Sequence, residues 1–195
     1  AQVQARFQPA NGRASVGQSE NPWWIKVQLK RDADAPQDWW LEASGTNLLD
    51  LRLYLPDGHG GWQERLSGAQ VPFISGRDHQ YRRPVFKLPA LEGELTFYVR
   101  SYDPAGNAFP LHLWQLDDLQ QQQNTDSLLM GLIYGAILAL LLYNLFILIT
   151  LRDLTYSWYV CTPAFALLFV LSATGHGFQY LWPKQAVAVW LDRIT

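Results

Sequence analysis

Hydrophobic and polar positions follow two different rhythms along this chain. Up to Trp114 the period is two. Leu49, Leu51, Leu53 and Leu55 alternate with Asp50, Arg52 and Tyr54. Ile25, Val27 and Leu29 alternate with Lys26, Gln28 and Lys30. Leu95, Phe97 and Val99 alternate with Thr96, Tyr98 and Arg100, and Leu111 and Leu113 with His112 and Trp114. Successive side chains of a strand point to opposite faces, so each run predicts a β-strand with one aliphatic face. Turn residues separate the runs. Pro56-Asp57-Gly58 and His59-Gly60-Gly61 end one, and Asp103 to Asn107 predict a hairpin-type loop between the last two strands. No helical periodicity precedes about Asp117. The pattern predicts an all-β antiparallel sandwich or jelly roll over residues 1–116.

Beyond Asp117 the alternation ends. Ser127 to Thr150 contain no charged side chain. A run of more than about 18 apolar residues is long enough to cross the hydrocarbon core as a helix. A second apolar run spans Tyr156 to Leu181, separated from the first by a short turn containing Arg152 and Asp153. The predicted organisation is therefore a β-sandwich followed by a transmembrane α-helical hairpin. Its parts are a linker over 117–126, helices over 127–151 and 156–181, a turn over 152–155 and a connector over 182–195. The linker, with glutamines from Gln120 to Gln123, is expected to be the first turns of the first membrane helix. The start at Ala1 without a leader predicts a removed signal peptide or an excised fragment. The apolar Ala186 to Leu191 predict the approach to a third span.

The net charge of −2 gives no indication of a nucleic-acid surface, and no nucleic-acid partner is expected. The single cysteine, Cys161, lies inside the second apolar run and leaves the polar domain without disulfides or thiolate metal ligands. The four histidines share no ligand spacing. A calcium loop at Asp103 and Asn107 is a weak alternative, so no metal or cofactor is expected. Nucleophilic catalysis has no motif here.

The polar face of the predicted strands carries Tyr98, Arg100, Tyr102, His112 and Trp114, with Trp23, Trp24, Trp39, Trp40 and Trp62 elsewhere in the domain. Rings stack on the apolar faces of pyranoses and guanidinium groups bond hydroxyls, so this face is a candidate ligand surface. The competing reading is that the aromatics pack against loops, the membrane or a neighbouring domain. Arg77, Arg82 and Arg83 cluster on a second segment. They are candidates for an anionic ligand, or for a structural network with Asp50, Asp57 or Glu42. Pro84 forces an extended backbone at Arg83 and predicts an edge strand. In the first span Gly131 and Gly135 form a GxxxG pair for helix packing, and Asn144 is expected to bond a neighbouring helix.

Several segments together resemble the bacterial seven-transmembrane receptors with diverse intracellular signalling modules (7TMR-DISM). They are NPWWIKVQL (Asn21 to Leu29), DWWLEASGTNLLDLRLYLPDG (Asp38 to Gly58), SGAQVPF (Ser67 to Phe73), RRPVFKLP (Arg82 to Pro89) and LTFYVRSYD (Leu95 to Asp103). The membrane part adds GLIYGAILALLLYNLFILITLRDLTYSWYV (Gly131 to Val160) and GHGFQYLWP (Gly175 to Pro183). The resemblance implies a periplasmic jelly roll similar to carbohydrate-binding modules, anchored in the bacterial inner membrane. It also implies Arg152 and Asp153 at the cytoplasmic turn, further helices, and a cytoplasmic output domain such as a histidine kinase or diguanylate cyclase. The expected partners are a small-molecule or glycan ligand, the lipid bilayer, those further parts of the same polypeptide and a second copy in a homodimer. No enzyme activity is expected of these residues themselves. The alternative is a membrane-anchored glycan-binding or protein-interaction module without a signalling role. A transporter accessory subunit is a third class, disfavoured by spans without a transport-type charge.

Overall fold

The computed structural model describes residues 7, 21–45, 48–103 and 110–184. Among the described residues seven strands form the N-terminal part: β1 (Trp23–Lys30), β2 (Trp40–Ala43), β3 (Asp50–Pro56), β4 (Trp62–Ser67), β5 (Val85–Lys87), β6 (Glu94–Tyr102) and β7 (Leu111–Trp114). They make two antiparallel sheets, one in the order β1-β6-β3-β4 and one in the order β5-β2-β7. The leucines of the period-two run are the centre of the sandwich. Leu51, Leu53 and Leu55 pack with Leu41, Phe86, Leu88, Phe97 and Val99 in one buried cluster.

Two expectations about pairing change. β6 and β7 do not form the expected hairpin, because β6 pairs with β1 and β3 while β7 pairs with β2 in the other sheet. Leu111 packs against the same core as β6. Asn107, one half of the conceivable calcium loop, lies outside the described residues. The strand expected from Tyr81 begins only at Val85; it is the edge of its sheet. The backbone from Tyr81 to Arg83 is irregular, which turns its side chains towards the helices that follow.

Helix α1 runs from Leu116 to Leu151 without a break, so the glutamine stretch is helical. Its 36 residues span about 54 Å, well beyond the ~30 Å hydrocarbon core. The first turns, with Asp117, Asp118 and Asp126, therefore stand outside the lipid against the β-domain. A left-handed Arg152 ends the helix and a short 3-10 turn, Leu154–Tyr156, starts the return. Helix α2 (Ser157–Ala173) contains Pro163. Two helical stretches, Leu116–Leu151 and Leu154–Ala173, are long and apolar enough to cross a membrane, and their apolar windows have no buried residue.

The second helix does not continue to Leu181 as the apolar run suggested. It stops at Ala173, Gly175 takes a φ of +83°, and a π-helical turn follows over Gly177–Leu181. Gly175 suits a left-handed backbone that side chains resist. Gly177 is required for a different reason: a Cβ there would come within 2.2 Å of the Trp182 ring. Of the helix-packing candidates, Asn144 alone departs from the expectation. Gly131 and Gly135 face open space, and Asn144 donates to the carbonyl of Leu140 in its own helix at 2.8 Å.

Candidate functional site

Ladder register decides which polar side chains share a face. In the four-stranded sheet, Lys26 pairs with Tyr98, Tyr98 with Tyr54 and Tyr54 with Glu64. The next row is Trp24, Arg100 and Arg52, and beyond it Tyr102 pairs with Asp50. All of these lie opposite the aliphatic core face. Trp24 stacks on Tyr54 with centroids 5.2 Å apart, and Trp62 meets Tyr98 edge-on at 5.0 Å. Trp24 and Trp62 are 44% and 50% exposed, so the two ring pairs form an open aromatic platform. Arg52 donates to Asp50 at 3.0 Å and to Glu64 at 3.0 Å; Arg100 also pairs with Asp50. The Tyr54 hydroxyl, 2.7 Å from Glu64, and then Arg52 hold the Glu64 carboxyl below its ordinary pKa.

His112 and Trp114 are not part of this surface. They belong to β7, on the outer face of the other sheet, across the sandwich from Tyr98, Arg100 and Tyr102. The five residues therefore cannot line one ligand site. Trp114 instead packs with Trp40 around Tyr81, Val85 and Leu119, beneath the first turns of α1. Its indole N–H donates to Glu42 at 2.7 Å. Glu42 is 1% exposed, and its other oxygen accepts from Arg83 at 2.9 Å.

The arginine segment builds the junction between the β-domain and the helices. Arg82 is 2.8 Å from Asp126 of α1 through Nη2, and its Nη1 donates to the Thr174 carbonyl beyond α2 at 3.1 Å. Arg83 lies 3.4 Å from the same Asp126 oxygen. The Tyr81 hydroxyl donates to Asp126 at 2.5 Å, and His79 bonds Gln123 at 3.0 Å. Burial, and then the bond to Asp126, push the Tyr81 hydroxyl above its ordinary pKa. Tyr134 continues the network, 2.7 Å from both Thr174 Oγ1 and His176 Nδ1. Arg82 and Arg83 are thus engaged by Asp126 and Glu42, the latter one of the partners expected of a structural network.

A second contact joins the same two parts. Phe73 meets Phe178 edge-on at 5.5 Å, and its backbone N–H donates to the Pro183 carbonyl at 2.8 Å. Leu49, Ala69 and Phe178 complete this cluster, with Tyr102 and Trp182 packed on it. Tyr102 thereby connects the outer face of the four-stranded sheet to the turn after α2. Arg77 sits over the Phe73 ring at 5.2 Å, and burial lowers its pKa to about 10.

A family model described as 7TMR-DISM extracellular 2 matches residues 1–115. The chain belongs to the 7TMR-DISM family. A second model, described as 7TM diverse intracellular signalling, matches residues 126–195. The 7TMR-DISM assignment makes this a membrane protein with a receptor-type N-terminal domain outside the cytoplasm, and the junction above lies where the two matches meet. No curated protein matches the chain.

Sequence reasoning missed Asp126, Thr174 and Tyr134 at the junction, and Arg52, Tyr54 and Glu64 on the platform. Signals existed for some of them. Asp126 is the last charge before the apolar run, and Arg52 and Tyr54 alternate with core leucines. Nothing in the sequence marked Thr174 as an acceptor for Arg82.

Proposed function

We propose that this chain is the ligand-sensing periplasmic region, with the first membrane helices, of a bacterial signal-transduction receptor in the inner membrane. Its output module, a histidine kinase or diguanylate cyclase, lies outside these residues. The ligand is a small molecule or glycan held on the outer face of the four-stranded sheet. The observation that carries this reading is the pair of exposed ring contacts, Trp24 on Tyr54 and Trp62 on Tyr98, beside Arg52, Arg100, Asp50 and Glu64. Exposed rings offer stacking surface, and the charged groups offer hydrogen bonds that fix orientation.

Binding there shifts the population between two packings of the domain on its helices. Tyr102 is the physical route, since it shares the face with Arg100 and packs on the cluster holding Phe178 and Trp182. The open side of Gly131 and Gly135 receives further helices of the same polypeptide or a second copy.

The test is calorimetric titration of the detergent-solubilised chain with neutral mono- and oligosaccharides, repeated with Trp24→Ala and Trp62→Ala. The reading predicts a binder whose affinity falls by about two- to tenfold in either variant, from a stacking contribution of about 0.5–1.5 kcal/mol. Binding that is indifferent to both substitutions contradicts it.

A further inference from the structure

The two sheets leave a cleft along one open side of the sandwich, where edge strand β4 of one sheet faces edge strand β5 of the other. Arg65 reaches across it from β4 and donates to the Lys87 carbonyl of β5 at 2.8 Å. The same guanidinium is 2.8 Å from Asp78, which also accepts from the Lys87 backbone N–H at 3.1 Å. These bonds make a fixed floor. Above it is a cavity of about 380 Å³ lined by Trp40, Arg65, Asp78, Lys87, Leu88 and Pro89. That volume falls within the range of small-ligand pockets, at its lower end.

The lining is chemically selective. Trp40 supplies a flat indole wall, and the Lys87 ammonium stands 5.8 Å from its ring centroid. Asp78 is bonded to Arg65, which leaves Lys87 as the charge that the floor does not already use. A flat ring against an indole, with an anionic group directed at an adjacent ammonium, fits this arrangement.

The cleft also touches the helix. The Trp40 ring meets His79 edge-on at 5.7 Å, and His79 bonds Gln123 of α1. Trp40 itself packs on the cluster that holds Leu119.

We infer that the cleft between β4 and β5 is a binding site for a small ring-bearing carboxylate, with Trp40 as the stacking wall and Lys87 as the anion contact. It is separate from the aromatic platform on the outer face and does not depend on ligand binding there. Filling it loads the Trp40–His79–Gln123 contact and so reports directly to α1.

The test is calorimetric titration of the detergent-solubilised chain with glucuronate, benzoate and neutral glucose. The expected result is binding of one or both carboxylates over glucose. Glucuronate alone assigns a sugar acid and benzoate an aromatic acid. Lys87→Gln weakens that binding at least about tenfold, because it removes a charge-assisted contact. Lys87→Arg keeps most of it. Lys87 is exposed, so neither replacement endangers the fold. Failure of both carboxylates to bind, or binding indifferent to Lys87→Gln, overturns the inference.

Discussion

Arg82 and Asp126 form the ion pair that ties the β-domain to the first membrane helix, with Nη2 2.8 Å from Oδ2 and side-chain exposures of 7% and 15%. Arg82 uses its other terminal nitrogen on the Thr174 carbonyl beyond α2. One guanidinium therefore holds both helices of the hairpin at once. A planar fork of donors is suited to that task, where a lysine offers a single point of attachment.

Removing either partner leaves the other charge poorly solvated, so Arg82→Met and Asp126→Leu are each expected to destabilise the domain–helix junction by about 3 kcal/mol. The double replacement Arg82→Met with Asp126→Leu is expected to cost much less than the sum of the singles. Thermal unfolding of the four proteins in detergent checks the cycle; additive losses would show that the two residues act separately.

Beneath the junction, Glu42 is held by Arg83 and by the Trp114 indole. Trp114→Phe keeps most of the ring volume and removes the donor to a buried carboxylate. The expected loss is about 2 kcal/mol, the scale of a hydrogen bond to a charged group. Urea unfolding followed by circular dichroism measures it. An unchanged midpoint would mean that the indole bond contributes nothing net.

Tyr81 gives the junction a pH dependence on the alkaline side. Burial and the bond to Asp126 raise its folded pKa, so the protonated hydroxyl is favoured by folding. The resulting stability is fully present below the ordinary tyrosine value of about 10 and is lost as pH rises through the higher folded value. In a spectrophotometric titration, the difference between wild type and Tyr81→Phe should be a phenol that ionises late. A difference curve centred at the ordinary value would contradict the placement of Tyr81 against Asp126.

Residues Gln123 and Asp126 face the β-domain only in the right helical phase. One glycine inserted after Gln122 rotates everything beyond it by about 100° relative to the turns before it. Both His79–Gln123 and Arg82–Asp126 should then be lost together. Hydrogen exchange across 116–126 should rise in the insertion variant. Unchanged exchange would rule out a rigid helical connection.

Strands β1, β3, β6 and β7 could be read from the sequence because each alternates with period two, and both membrane helices because their apolar runs are long. Leu51, Leu53 and Leu55 declare a buried strand face whatever their neighbours are. Assignment of strands to sheets is not local. Tyr98 and Trp114 each stand on a polar face next to aliphatic residues, and only the pairing of β6 with β3 and of β7 with β2 separates them. The junction was harder still to read. Arg82, Asp126 and Thr174 are distant along the chain, and an arginine destined for an intramolecular carboxylate looks like one waiting for a ligand. The end of α2 was hidden by composition, since Gly175 to Leu181 stay apolar enough to extend the run while Gly175 breaks the helix.

Arg82 seats the β-domain on the helix pair through Asp126 and the Thr174 carbonyl. A spin-label distance measurement in lipid nanodiscs checks how rigid that seat is. Labels are placed on exposed Gln63 of β4 and on Leu154, which is 82% exposed at the far turn, with Cys161→Ser removing the native thiol. One narrow distance distribution is expected in this background and a clearly broader one after Arg82→Ala. A broad distribution before that substitution, or an equally narrow one after it, would show that Arg82 does not hold the domain in place.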